Sequence, residues 1–242
     1  MHQRLLLPLI CCVVGFASSA QAQVTIDKTQ AVAGARRDTG TGACGTFIQY
    51  KRQGMPPVPK TKQDAEALLN KPATDPALRG RISRLVDRIN FRNGQDGFVE
   101  GDFTGALYPD EYLPYSQSSK ASPTGDDVDI AMRLRGYFNV PADMAGKTIS
   151  IGLNCDDFCT LRVGKTDVIP EANSSGNSPR VVRQVKFTDP GLYPIEMIYY
   201  QITGPAYIEW ALADTPQAEC SQNCTTPLTD QTMYGGKFSI MP

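Results

Sequence analysis

The chain has 242 residues, with 24 Lys and Arg against 25 Asp and Glu. That balance leaves no basic stripe for a nucleic-acid backbone, and no hydrophobic run is long enough for a membrane-spanning helix. The single histidine, His2, falls inside an N-terminal secretory signal, which excludes His-based triads and His-ligated metals from the mature chain.

Residues 1–22 carry that signal. His2 and Arg4 form its charged start, Leu5 to Phe16 its apolar stretch, and Ala20-Gln21-Ala22 a small-x-small cleavage site. The mature chain is therefore expected outside the cell or on its surface. Five cysteines follow: Cys44, Cys155, Cys159, Cys220 and Cys224. In an exported protein disulfides are the first reading, with zinc the rival for the two Cys-x3-Cys pairs. Five is odd, so one cysteine is left for a partner chain or as a free thiol. Cys44 and the tail are the candidates for such a partner.

Residues 23–43 are polar and without a period, and read as a loose leader or an edge segment. Gly45 to Lys51 has strand-forming composition. Met55-Pro56-Pro57-Val58-Pro59 breaks regular structure, and Asp64 to Asn70 suits a short helix. Asp75-Pro76 resembles a helix cap followed by proline at the first helical position. Leu78, Ile82, Leu85, Val86 and Ile89 then follow helical spacing, which favours a helix to about Asp87. Residues 94–126 are a long Gly/Pro/Ser/Asp/Tyr connection, of a length that goes with binding or movement.

From Val128 onward the period is two. Val128, Ile130, Met132 and Leu134 alternate with polar neighbours, and Tyr137 to Val140 runs to a turn at Pro141. Further strands are expected at Thr148 to Leu153, Thr160 to Val163, Val168 to Pro170, Val181 to Phe187, Tyr193 to Gln201 and Tyr207 to Leu212, with a polar loop at Asn173 to Pro179. Short strands at this spacing predict an antiparallel sandwich or barrel. Tyr199, Tyr200, Tyr207 and Trp210 read as core or flank residues, one or two of them free to stack on sugar.

Between two of these strands stands Asn154-Cys155-Asp156-Asp157-Phe158-Cys159. Adjacent strand residues face opposite sides, so two neighbouring aspartates serve one ligand only at a sharp turn. A solvated turn is the plain alternative, since Asp favours turns anyway. Asp126, Asp127 and Asp129 form a second acidic group, read as a solvated strand end. An enzyme is a poor reading, because the two carboxyls of a glycosidase stand roughly 5–9.5 Å apart across the scissile bond.

Four stretches, in order, resemble the PA14 family of β-sandwich domains: Gly45 to Tyr50; Val86-Asp87-Arg88-Ile89-Asn90-Phe91; Met132 to Val140 with Pro141; and Gly191-Leu192-Tyr193-Pro194-Ile195 to Leu212. Within that family the signal, the cysteines around the Asp pair and the Cys-x3-Cys tail resemble the N-terminal recognition domains of myxobacterial outer-membrane-exchange receptors, in which cysteine-rich repeats and a surface anchor follow.

The resemblance implies an all-β antiparallel sandwich of PA14 type over residues 44–213, with a few short helical turns in its N-terminal half. It extends a leader over 23–43 and a cysteine-containing tail over 214–242, and it tips Val86 to Phe91 towards extended structure. It further implies a cis peptide between Asp156 and Asp157, with both carboxylates on Ca²⁺, and a second, selectivity-setting loop at Gln201, Ile202, Thr203, Gly204, Pro205 and Ala206. A Cys155–Cys159 disulfide would hold the first loop. The family's glycine after the Asp pair is Phe158 here, and the second loop brings no Asn. The implied role is non-enzymatic recognition or adhesion at the cell surface, with a glycan or a like domain on a neighbouring cell as partner. A carbohydrate-binding accessory module of a secreted hydrolase, or a disulfide-linked structural subunit, is the alternative.

Overall fold

The computed structural model describes residues 23–33, 42–50, 59–86, 89–92, 111–112, 129–173, 180–202, 206–217, 219 and 238–239. The expected signal (1–22), most of the 94–126 connection, Cys220 and Cys224 lie outside them. Among the described residues there are thirteen strands: β1 (Val24–Ile26), β2 (Ala43–Tyr50), β3 (Leu78–Val86), β4 (Asn90–Arg92), β5 (Glu111–Tyr112), β6 (Ile130–Val140), β7 (Thr148–Asp156), β8 (Phe158–Val163), β9 (Thr166–Asn173), β10 (Arg180–Phe187), β11 (Gly191–Gln201), β12 (Tyr207–Ala213) and β13 (Phe238–Ser239). An α-helix, α1 (Lys62–Leu69), and a short 3-10 turn at Lys28–Gln30 accompany them.

They form two sheets. The first runs β1-β10-β7-β12-β4-β5 and the second β3-β2-β6-β11-β8-β9, with β13 paired to β6. Pairing is antiparallel except for β1 with β10 and β4 with β5 at the edges of the first sheet. The expected sandwich is what forms, and its cause is the alternation in the sequence. Ile130, Met132, Leu134 and Phe138 on β6 turn inward, as do Ile149, Ile151 and Leu153 on β7 and Tyr193, Ile195 and Met197 on β11.

A second, smaller core lies on the outer face of the β3–β9 sheet. There Ala65, Leu68 and Leu69 of α1 cover Ile48, Tyr50, Ala131, Phe158, Ile198 and Tyr200. Thr61 and Asp64 cap the start of α1 reciprocally, each side chain taking the other's backbone N–H. At its end Arg81 donates to the carbonyls of Leu69 at 2.6 Å and Lys71 at 2.8 Å, satisfying acceptors that the helix leaves open.

The helix expected from Pro76 to Asp87 is a strand instead. Asp75 makes a turn, its carboxylate accepting the N–H of Ala77 at 2.8 Å, and β3 follows at the sheet edge against β2. The apolar residues that suggested one helical face divide between environments. Leu78 and Val86 are buried, while Ile82 is 40% and Leu85 53% exposed. The leader also contributes structure, in its edge-segment reading. β1 pairs with β10, and Gln30 beyond it accepts from Lys165 N–H and Thr166 hydroxyl, both at 2.9 Å, across the β8–β9 turn.

Candidate functional site

Two connections cross between the sheets at the same end of the sandwich. β7 belongs to the first sheet and β8 to the second, so the chain changes sheet at Asp156-Asp157. β11 belongs to the second and β12 to the first, so it is back in the first sheet by Tyr207. Pairing fixes the two corners beside each other. Asp156 is in register with Tyr207, where the return crossing ends, and Phe158 with Tyr200, just before it starts.

The Asp156–Asp157 peptide bond is cis. Cys155 and Cys159 form a disulfide, with Cα atoms 6.3 Å apart. Both sulfur-bearing side chains point into the main core, one from each sheet, so the bond ties the sheets together behind the corner. Both aspartates are half-buried. The Ile202 N–H donates to Asp157 Oδ2 at 2.6 Å, joining one corner to the other.

Behind the aspartates lies a buried tyrosine. Tyr199, fully buried, donates its hydroxyl to the carbonyl oxygen of Asp156 at 2.7 Å. The same hydroxyl is 3.3 Å from Gln201 Oε1. Tyr50 donates to the Gln201 carbonyl at 2.9 Å. Burial, with Asp156 and Asp157 adding to it, pushes the Tyr199 hydroxyl well above its ordinary titration range, so it stays protonated and a donor. Phe158 stacks on Tyr200 with ring centroids 4.5 Å apart, inside the smaller core under α1.

The sequence-derived residues therefore divide. Asp156 and Asp157 are at the surface of the corner. Gln201 is buried and Ile202 half-buried against the smaller core, which makes them the root of the second loop. Ala206 is in the main core, and Thr203, Gly204 and Pro205 lie outside the described residues. Tyr199, Tyr200, Tyr207 and Trp210 are all core residues with no exposed face for a sugar. Asp129 is buried, not solvated, with φ of 67° and its carbonyl accepting the Tyr50 N–H at 2.8 Å. Cys44 is an exposed free thiol on β2.

Sequence reasoning missed that the hydroxyls of Tyr199 and Tyr50 hold the site, the first on the Asp156 carbonyl and the second on the Gln201 carbonyl. The available signal was an inward-facing tyrosine beside a polar turn, since a buried phenol needs a partner for its hydroxyl. As to metal, Ca²⁺ takes 6–8 oxygens. Among the described residues no group of three or more His, Cys, Asp or Glu is gathered to hold an ion. Asp156 and Asp157 are adjacent half-buried carboxylates at the corner, and the described residues gather no third acidic side chain with them.

The family model for "Outer membrane exchange protein TraA, N-terminal domain" matches residues 24–232. A PA14 sugar-binding domain from an RTX adhesin is similar in fold, with a TM-score of 0.50 and 15% identity over 83% of this chain and 98% of that one. The epithelial adhesin 6 A domain of Candida glabrata, solved with Galb1-3GlcNAc, aligns at a TM-score of 0.47 and 15% identity, over 86% of this chain and 91% of the adhesin domain. An anti-sigma factor domain-containing protein aligns at 0.47 and 14% identity, and there the chain spans about half of the other's length, 49%. No curated protein matches.

Proposed function

Because the chain belongs to the family of TraA N-terminal domains, we propose that it is a non-enzymatic recognition module working at the cell surface, with the paired sheet-crossing corners as its recognition tip. Asp156 and Asp157 supply affinity, and the 201–206 loop supplies selectivity. The observation that carries this reading is the juxtaposition of the corners, with Ile202 N–H on Asp157 Oδ2 at 2.6 Å. A rigid scaffold that presents two short connections at one end is the arrangement in which loops take up binding.

The partner is a glycan held through Ca²⁺, with Asp156 and Asp157 as the ion's carboxylates. Two consecutive carboxylates at a half-buried corner support this, since a hard divalent cation prefers oxygen donors. When bound, the ion would bring a positive centre to which sugar hydroxyls coordinate; the protein's part is to hold the carboxylates fixed and partly out of water. Calorimetric titration with Ca²⁺ and then a sugar panel tests the reading, with a signal expected for the native chain and lost in Asp157→Asn. Silence in both titrations, with clumping of beads coated with the chain, would transfer the role to a like domain on a neighbouring cell. Silence in all three would overturn the recognition tip itself.

A further inference from the structure

The end of β11 and the Asp pair share more than one contact. Ile202 N–H reaches the Asp157 carboxylate at 2.6 Å, Tyr199 hydroxyl reaches the Asp156 carbonyl at 2.7 Å, and the same hydroxyl lies 3.3 Å from the Gln201 side chain. Gln201 is gripped a second time, through its carbonyl, by Tyr50 at 2.9 Å. Gln201 is completely buried and Tyr50 and Tyr199 nearly or fully so. In such surroundings each bond is held without competition from water, and a network responds as a unit.

We infer that Tyr199 is a positioning residue that couples the end of β11, Gln201 and Ile202, to the Asp156-Asp157 corner, so that these residues move and bind as one body. Neither carboxylate oxygen is its partner; it acts through the Asp156 carbonyl and Gln201. Its placement gives it leverage over the whole corner. On β11 it is in register with Cys159 of β8, half of the disulfide behind the Asp pair, and with Met132 of β6 on the other side. A phenol donor that stays protonated gives this coupling no titration step of its own. Whatever ligand or charge change shifts Asp157 will shift Ile202, to which it is bonded.

Tyr199→Phe tests this by removing one oxygen and leaving the ring in the core. The readout is amide hydrogen exchange of Ile202 by NMR, with the Val185 amide on β10 as a reference for global stability. Relative to Val185, Ile202 is expected to exchange about tenfold faster in Tyr199→Phe and by a similar factor in Asp157→Asn. In the double variant it should be no faster than in the faster single one, because both substitutions release the same unit. An unchanged Ile202 in Tyr199→Phe, or factors that multiply to about a hundred in the double variant, would overturn the coupling. If Tyr199→Phe fails to fold, Gln201→Met, which removes the amide beside the hydroxyl, takes its place with the same expected outcome.

The functional consequence rests on the recognition reading above: with Ca²⁺ as the probe, Tyr199→Phe should weaken binding about tenfold. The two can fail separately. A native chain silent to Ca²⁺ but non-additive in exchange overturns the calcium reading and upholds the coupling. A chain that binds Ca²⁺ with additive exchange does the reverse.

Discussion

Strand β8 ends in two connections built on different rules. At Phe158 it meets a corner between sheets, at Val163 a tight turn within one sheet. The turn depends on backbone freedom. Gly164 has φ of 62°, and a Cβ there would come within 2.7 Å of the Gln30 side chain that ties the turn. The corner depends on side chains: a disulfide, two buried phenols, a stacked ring pair and a carboxylate that receives a backbone N–H. A hairpin turn joins neighbours in one ladder, so few polar groups are stranded by it. A sheet-crossing corner takes the backbone out of both ladders and must find partners for its N–H and carbonyl groups. The polar groups gathered for that purpose are also what a ligand can use, which is why recognition is assigned to this end of β8.

Substitutions at the corner should separate these roles. Phe158→Ala should have the largest effect, a loss of about 3–5 kcal/mol in chemical denaturation, because it removes a buried ring from the core under α1. A much smaller loss would mean that the family's glycine is accommodated here and that Phe158 is not a structural peg. Replacing Cys155 and Cys159 together by alanine should cost about 2 kcal/mol, the loop-closure value for so short a ring, seen as a lower denaturation midpoint. At the other end of β8, Gly164→Ala should cost about 1–2 kcal/mol from its positive φ and its contact with Gln30, with recognition unchanged. Tyr50→Phe should cost about 1 kcal/mol, the net value of one buried hydrogen bond. Equal losses of recognition from Gly164→Ala and from the corner variants would erase the distinction between the two ends.

Much of this architecture is legible in the sequence because strands alternate. The inward residues of β6, β7 and β11 stand at every second position, and Asp156-Asp157 stands out because adjacent carboxylates do not suit a strand. The failures have equally definite causes. Leu78, Ile82 and Leu85 happen to fall at helical spacing, but β3 is an edge strand whose apolar side chains are divided between core and solvent. Asp75-Pro76 fits a turn as well as a helix start, since Asp accepts a nearby N–H in either. Gln201 looked like a ligand contact because it is polar and stands at a loop. It is fully buried, and Tyr50, 151 positions away in the chain, donates its hydroxyl to the Gln201 carbonyl. Partners brought together by the strand order of a sheet leave no periodic trace.

The central claim, that the Asp156-Asp157 corner is the recognition tip and the opposite end of β8 is scaffold, is tested most directly by adhesion. Beads coated with the native chain, Asp157→Asn or Gly164→Ala would be applied, in buffer containing Ca²⁺, to a panel of immobilised glycans and to cells that display the native chain, after circular dichroism has shown each variant folded. The native and Gly164→Ala beads should adhere alike, and Asp157→Asn should lose at least about tenfold, as expected when a charged group in a recognition contact is neutralised. Equal adhesion by all three would contradict the account.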